Sequence, residues 1–231
     1  RAGAVVFNTN WGGSGSDGDP YSQLEAIYMG EGPCSVWYAH QEATTYGGDP
    51  NNISLFGFSA GANLAAAIAM YGGDTDLGCN APPTSVTPAS VVVFEGDFLM
   101  GNRWWHSAIA EEPSIFPTWA VWEYVDAYDG PPIHVLVDVQ SAGKGRYSIG
   151  GLGYDVEEVL AVRDTDGTLT ADLATLGALD DGDIDLVEFN TLFHYRLDQA
   201  GKPTSLTWID AYAHRVSPLA TEAIIDLILD S

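Results

Sequence analysis

Basic residues are scarce in this chain. Its 231 residues hold 8 lysines and arginines against 32 aspartates and glutamates, a formal net charge of −24. Only Lys144 and Lys202 are lysines. A surface this negative repels phosphate backbones, which argues against nucleic acid as a partner. It offers no attraction to an anionic membrane either. Hydrated carboxylates in this number fit good solubility, salt adaptation or a secreted origin.

Long apolar runs are missing as well. No stretch approaches the roughly 20 residues needed to span a bilayer. No signal peptide is visible, and the chain starts at Arg1 without a methionine, as removal of a leader or of a longer segment would leave it. Cysteine is limited to Cys34 and Cys79. Two thiols are too few for a structural zinc site. In an extracellular setting they would pair.

What is present belongs to a folded protein. The composition is 46% hydrophobic with 11% aromatics, which is globular rather than disordered. The length suits one domain with a sizeable core. Short apolar runs alternate with helical patterns. Strands are predicted at Ala4–Phe7, Ile53–Phe56, Val91–Phe94, Ile133–Val137 and Leu206–Ile209. Helices are predicted at Pro33–Tyr46, Ala60–Met70, Phe189–Gln199 and Pro218–Leu229, with Gly201 closing the third. Continuous apolar strands separated by helices indicate the α/β class, with a mostly parallel sheet covered on both faces.

Two stretches break this rhythm. Residues 96–132 carry Trp104, Trp105, Trp119 and Trp122 with little periodicity. They read either as a lid or pocket wall over the strand ends, or as a loop packing its own aromatics. Residues 140–185 are Gly-rich and acidic and read as an insertion.

Chemistry concentrates at residues 55–67, LFGFSAGANLAAA. A strand, a tight turn and a small-residue helix are the context of a Gly-x-Ser-x-Gly elbow. Such a turn strains the backbone at Ser59 and lifts its hydroxyl out at the carboxyl end of the sheet. Gly57 and Gly61 are expected to be glycine because side chains there would strike the strand and helix beside them. The backbone N–H of Ala60 would face an oxyanion, with the positive helix end behind it. Ala62, Ala65, Ala66 and Ala69 would let the helix pack close to the sheet.

The run YGGDPNNISLFGFSAGANLA (46–65) resembles the carboxylesterase/lipase branch of the α/β-hydrolase fold. The resemblance is dense over 34–70 and looser, but consistent in order, to the C-terminus. It implies hydrolysis of a small-molecule carboxylic ester by a Ser–acid–His triad, through an acyl-enzyme, without a metal or other cofactor. Ser59 is then the nucleophile. The histidine is expected after the last strand, where His214 lies in TWIDAYAHRVSP. His40, His134 and His194 fall within predicted helices and a strand and read as core or surface residues, and His106 is the rival in the Trp-rich loop. His214 would take the Ser59 proton and return it to the leaving alcohol.

The family's acid follows the strand at Ile133–Val137. Asp138 ends that strand and is early for the role. The cluster at 180–185 precedes the next helix and lies about 30 residues before His214. Asp183 is the expected acid, with Asp181 and Asp185 as rivals. The same cluster has a competing reading. DGDIDLVEF (181–189) looks like the second half of a calcium-binding loop closed by Glu188, although Gly177 and Leu179 would occupy its first ligand positions. DTDG (164–167) is a similar fragment.

The chain departs from the family in one respect. The His-Gly-Gly oxyanion loop expected upstream of the elbow is not in this sequence. Either VVFNTNWGGSG (5–15) is the strand after that loop, and the first strands precede this sequence, or Gly12 and Gly13 form a substitute loop. The resemblance therefore leaves two further classes open: a peptidase or thioesterase on the same fold, and a non-catalytic hydrolase-like binding protein.

Overall fold

The computed structural model describes residues 4–9, 26–71, 87–96, 98, 121–142, 147–148, 183–211 and 214–229. Its centre is a parallel sheet of four strands: β1 (Ser54–Phe58), β2 (Ser90–Phe94), β3 (Ile133–Asp138) and β6 (Thr204–Ile209). They lie side by side in that order, with Leu55 opposite Val91, Val93 opposite Val135, and Val135 opposite Leu206. Two short strands, β4 (Tyr147–Ser148) and β5 (Asp183–Ile184), form a separate antiparallel pair.

Helices cover both faces, which is why Val91–Phe94 of β2 is apolar and buried without alternation. Val91, Val93, Ile133, Val135 and Val137 point to one face, against α1 (Gly32–Glu42), α2 (Ala60–Tyr71) and α3 (Leu186–Gln199). Val92, Phe94 and Leu136 point to the other and meet Ala220 and Ile224 of α4 (Pro218–Leu229). Ala62, Ala66 and Ala67 are fully buried, so α2 packs closely behind β1 and β2 as its small side chains predict.

Two expectations change. The Ala4–Phe7 run pairs with no strand among the described residues, and Val6 is 82% exposed. Its Phe7 ring instead meets Tyr38 and Tyr46 edge-on, at 6.2 and 5.6 Å between centroids. The helix predicted over 33–46 begins one residue earlier, after a π-turn at Ala26–Glu31, and tightens to a 3-10 turn at Ala43–Tyr46 that ends on left-handed Gly47. Of the Trp-rich stretch, Trp122 is 2% exposed and belongs to the main core. Trp104, Trp105 and Trp119, most of the 140–185 stretch, the 164–167 fragment, Gly12, Gly13, His106 and Cys79, the expected partner of Cys34, lie outside the described residues. No helix among the described residues is long and apolar enough to cross a membrane.

Candidate active site

Parallel strands place their carboxyl ends on one edge, and the site is built there. Phe58 ends β1 and Ala60 opens α2, so a single residue, Ser59, must reverse the chain. It does so with φ 55°. The Ser59 N–H donates to the Phe94 carbonyl at 3.0 Å, and its own carbonyl accepts from the Ala62 N–H at 2.9 Å. The corner is thus tied to the neighbouring strand on one side and to the helix on the other.

The two glycines do not share one role. A Cβ on Gly57 would lie 2.0 Å from the Gly61 carbonyl oxygen and 2.6 Å from the Ala62 Cα, so only glycine lets the strand and helix cross there. A Cβ on Gly61 would meet nothing within 4 Å, contrary to the sequence reading. Ala60 stands at the first position of α2, where helix N–H groups have no intrahelical acceptor.

His214 lies beyond β6, as its position in the sequence suggests, with φ 30°. Its ring packs over Phe58 at 4.9 Å between centroids, and Phe58 packs on Phe94 at 5.3 Å. The residue before Ser59 therefore forms the floor under His214.

The carboxylate that His214 meets is one the sequence reading did not name. The His214 Nδ1 lies 2.9 Å from Oε2 of Glu95. Glu95 follows the last residue of β2, is 1% exposed, and has φ 52°. Its other oxygen, Oε1, accepts from the Ser141 hydroxyl, and the Ser141 Oγ accepts the His214 N–H at 2.9 Å. The Asp183 backbone pairs with Ser148 in the small antiparallel sheet, and its side chain and Asp181 lie outside the described residues. Asp185 caps α3, accepting the Glu188 N–H at 2.9 Å, while Glu188 accepts the Asp185 N–H at 3.0 Å. That reciprocal capping box occupies two of the carboxylates that the calcium reading required. No cluster of three or more His, Cys, Asp or Glu fit to hold a metal occurs among the described residues. Asp138 is fully buried and accepts the N–H groups of Gln140 and Ala211 at 2.9 and 3.2 Å, tying the ends of β3 and β6 together.

The remaining described histidines have structural partners. His134 Nδ1 meets the Ser205 Oγ at 2.8 Å, His194 Nδ1 meets the Thr204 Oγ1 at 3.0 Å, and His40 meets Gln41 at 3.2 Å. A cleft of about 750 Å³ between residues 5–9 and the Glu31–Tyr38 segment is lined by none of Ser59, Glu95 and His214.

Glu95 had a signal in the sequence. VVVFEG places an acidic residue and a glycine directly after an apolar strand, at the same sheet edge as the elbow. The resemblance drew the acid to the following strand instead.

No family model matches the chain, and no curated protein matches its sequence. Solved structures do resemble it. A propionate-bound thermophilic esterase from the Planctomycetes species Thermogutta terrifontis is 16% identical with a TM-score of 0.50, over 87% of this chain and 62% of that one. A truncated carbohydrate esterase from gut microbiota is 14% identical with a TM-score of 0.51, over 90% of this chain and 67% of that one. The chain thus spans about three fifths of the length of the first of these. With strand, elbow, helix and parallel sheet in the expected order, and solved esterases superposing on most of its length, the chain has the α/β-hydrolase fold.

Proposed function

We propose that this chain is a serine hydrolase of small-molecule carboxylic esters, with Ser59, His214 and Glu95 as its triad. One observation carries the reading. Ser59, Glu95 and His214 are the non-glycine residues with positive φ among the described residues. Such conformations cost roughly 1–3 kcal/mol each and persist where the surrounding structure enforces them, which is typical of active sites.

The Glu95–His214 contact supports the following chemistry. An ionised Glu95 accepts only, so the proton of its contact with His214 sits on Nδ1. That leaves Nε2 to take the Ser59 proton as the hydroxyl attacks the ester carbonyl. The Ala60 N–H, at the helix start, would stabilise the oxyanion. His214 then protonates the leaving alcohol, an acyl-enzyme forms on Ser59, and water activated by His214 releases the acid. No step calls for a cofactor.

The test is a fluorophosphonate probe followed by mass spectrometry of the labelled peptide, at low and high salt. A single adduct on Ser59, lost in His214→Ala, is the expected result. A folded chain that takes no adduct at either salt would overturn the hydrolase reading in favour of the binding-protein alternative.

A further inference from the structure

The mechanism uses Glu95 but does not explain what holds it. A buried glutamate with φ 52° has both an unfavourable backbone and a carboxylate free to rotate about its last torsion. Two fully buried polar side chains act on those two freedoms.

Asn190, on α3, grips the residue after Glu95. Its Oδ1 accepts the Gly96 N–H at 2.9 Å, and its Nδ2 donates to the Gly96 carbonyl at 3.1 Å. The same Nδ2 donates to the Leu186 carbonyl at 2.7 Å, which anchors the amide to its own helix. Both backbone polar groups of Gly96 are therefore held by one side chain from a distant element. Gly96 itself is tightly enclosed: a Cβ there would lie 2.5 Å from the Phe98 ring and 2.9 Å from the Ala62 Cβ.

Ser141 acts at the other end of the side chain. Its hydroxyl donates to Glu95 Oε1 while its oxygen accepts the His214 N–H at 2.9 Å. One hydroxyl thus holds the acid through its carboxylate and the base through its backbone. With Oε1 engaged, Oε2 stays turned to the imidazole. Ser141 sits in the 3-10 turn Val139–Ser141, whose start is capped by the Asp138 carboxylate.

We propose that Ser141 and Asn190 are positioning residues for the Glu95–His214 pair: Asn190 enforces the left-handed corner at Glu95, and Ser141 sets the carboxylate and imidazole relative to each other. The inference rests on the triad reading above, and its test separates the two. An imidazole N–H bonded to a buried carboxylate gives a low-field proton resonance, assignable to His214 by its loss in His214→Ala. That signal reports the pair whether or not ester is hydrolysed. Ser141→Ala removes one oxygen and leaves the cavity nearly filled. Asn190→Asp keeps the acceptor for the Gly96 N–H and removes the donor to the Gly96 carbonyl. Ser90→Ala, which removes the hydroxyl bonded to Ser54 at 2.9 Å, is the control for loss of a buried hydroxyl elsewhere.

Ser141→Ala and Asn190→Asp should each weaken or abolish the resonance and slow probe labelling by about tenfold to a hundredfold, with KM for an ester nearly unchanged. Ser90→Ala should keep both. If the resonance is absent from the parent, or unchanged with labelling within about twofold in both variants, the inference fails. If the resonance responds but the parent takes no probe, the positioning role stands and the hydrolase reading falls.

Discussion

The Ser59 N–H donates to the carbonyl of Phe94 at 3.0 Å. This bond extends the β1–β2 ladder by one step past Phe58, which pairs with Phe94. It places the Ser59 corner against the residue that precedes Glu95. The two strained corners, at Ser59 and Glu95, are thus neighbours on adjacent strands. His214, beyond β6, meets Glu95 and the ring of Phe58; β6 lies two strands from β2 in the sheet.

The choice of acid is directly measurable. Glu95→Gln keeps the volume and the contact to Ser141 but removes the charge that stabilises a His214 imidazolium. It should cut kcat/KM by about a thousandfold or more, as loss of a triad acid does elsewhere. Asp183→Asn should stay within about threefold of the parent. The opposite pattern in a kinetic comparison of the two variants would return the role to Asp183.

The two elbow glycines should respond differently. Gly57→Ala forces a Cβ to 2.0 Å from a backbone oxygen, so it should lower stability by about 3 kcal/mol or more. Gly61→Ala meets open space inside a helix and should hold or raise stability, by up to about 1 kcal/mol of helix propensity. Thermal unfolding of both variants, with the labelling rate of the second, checks this. A labelling defect in a stable Gly61→Ala would show that the ester lies against that Cβ.

Acid should destabilise the fold through two histidines outside the site. Burial holds the His134 imidazole below its ordinary pKa, and its buried Nε2 has no hydrogen-bond partner among the described residues. Burial also lowers His194, opposed by Asp198. Above the ordinary value near 6.5 neither the folded nor the unfolded chain is protonated there, and stability does not depend on these groups. As pH falls through 6.5, an ordinary histidine value, the unfolded chain binds protons first, so stability drops. The slope is at most about 1.4 kcal/mol per pH unit for each, less what solvent screening removes. Urea midpoints measured from about pH 8 to about pH 5 should fall, and His134→Asn should flatten the curve. An unchanged slope in that variant would refute the assignment.

The carboxylates at the start of α3 should behave as caps. Asp185→Ala leaves the Glu188 N–H without its acceptor and should cost about 1 kcal/mol. Calcium should leave Tm unchanged in both parent and variant. A calcium-dependent rise in Tm that disappears in Asp185→Ala would revive the cation-loop reading.

Where sequence and structure agree, the cause is local or one-dimensional. Val91–Phe94 is apolar on consecutive residues, and Ile133–Val137 is so apart from His134, because both sheet faces are covered, and that pattern is visible without knowing the neighbours. The elbow is legible because Ser59 is bracketed by a glycine that sterics require and by a helix of alanines. Ala4–Phe7 shows the limit. It has the same composition as a buried strand, yet strand identity needs a partner's hydrogen bonds, and none is provided by the described residues.

By itself, the sequence determined the class of fold, the strand-to-helix corner at Ser59, and the late position of His214, because each follows from periodicity, turn sterics or chain order. The partner of His214 was decided only by tertiary structure. Glu95 and Asp183 are both acidic residues near strand ends, and nothing local distinguishes them. β2 lies beside β1, so its carboxyl end meets the elbow, while Asp183 is carried off into a separate pair of strands. Proximity in a parallel sheet is set by strand order, and strand order is a property of how the helices pack across its faces rather than of any stretch of the chain.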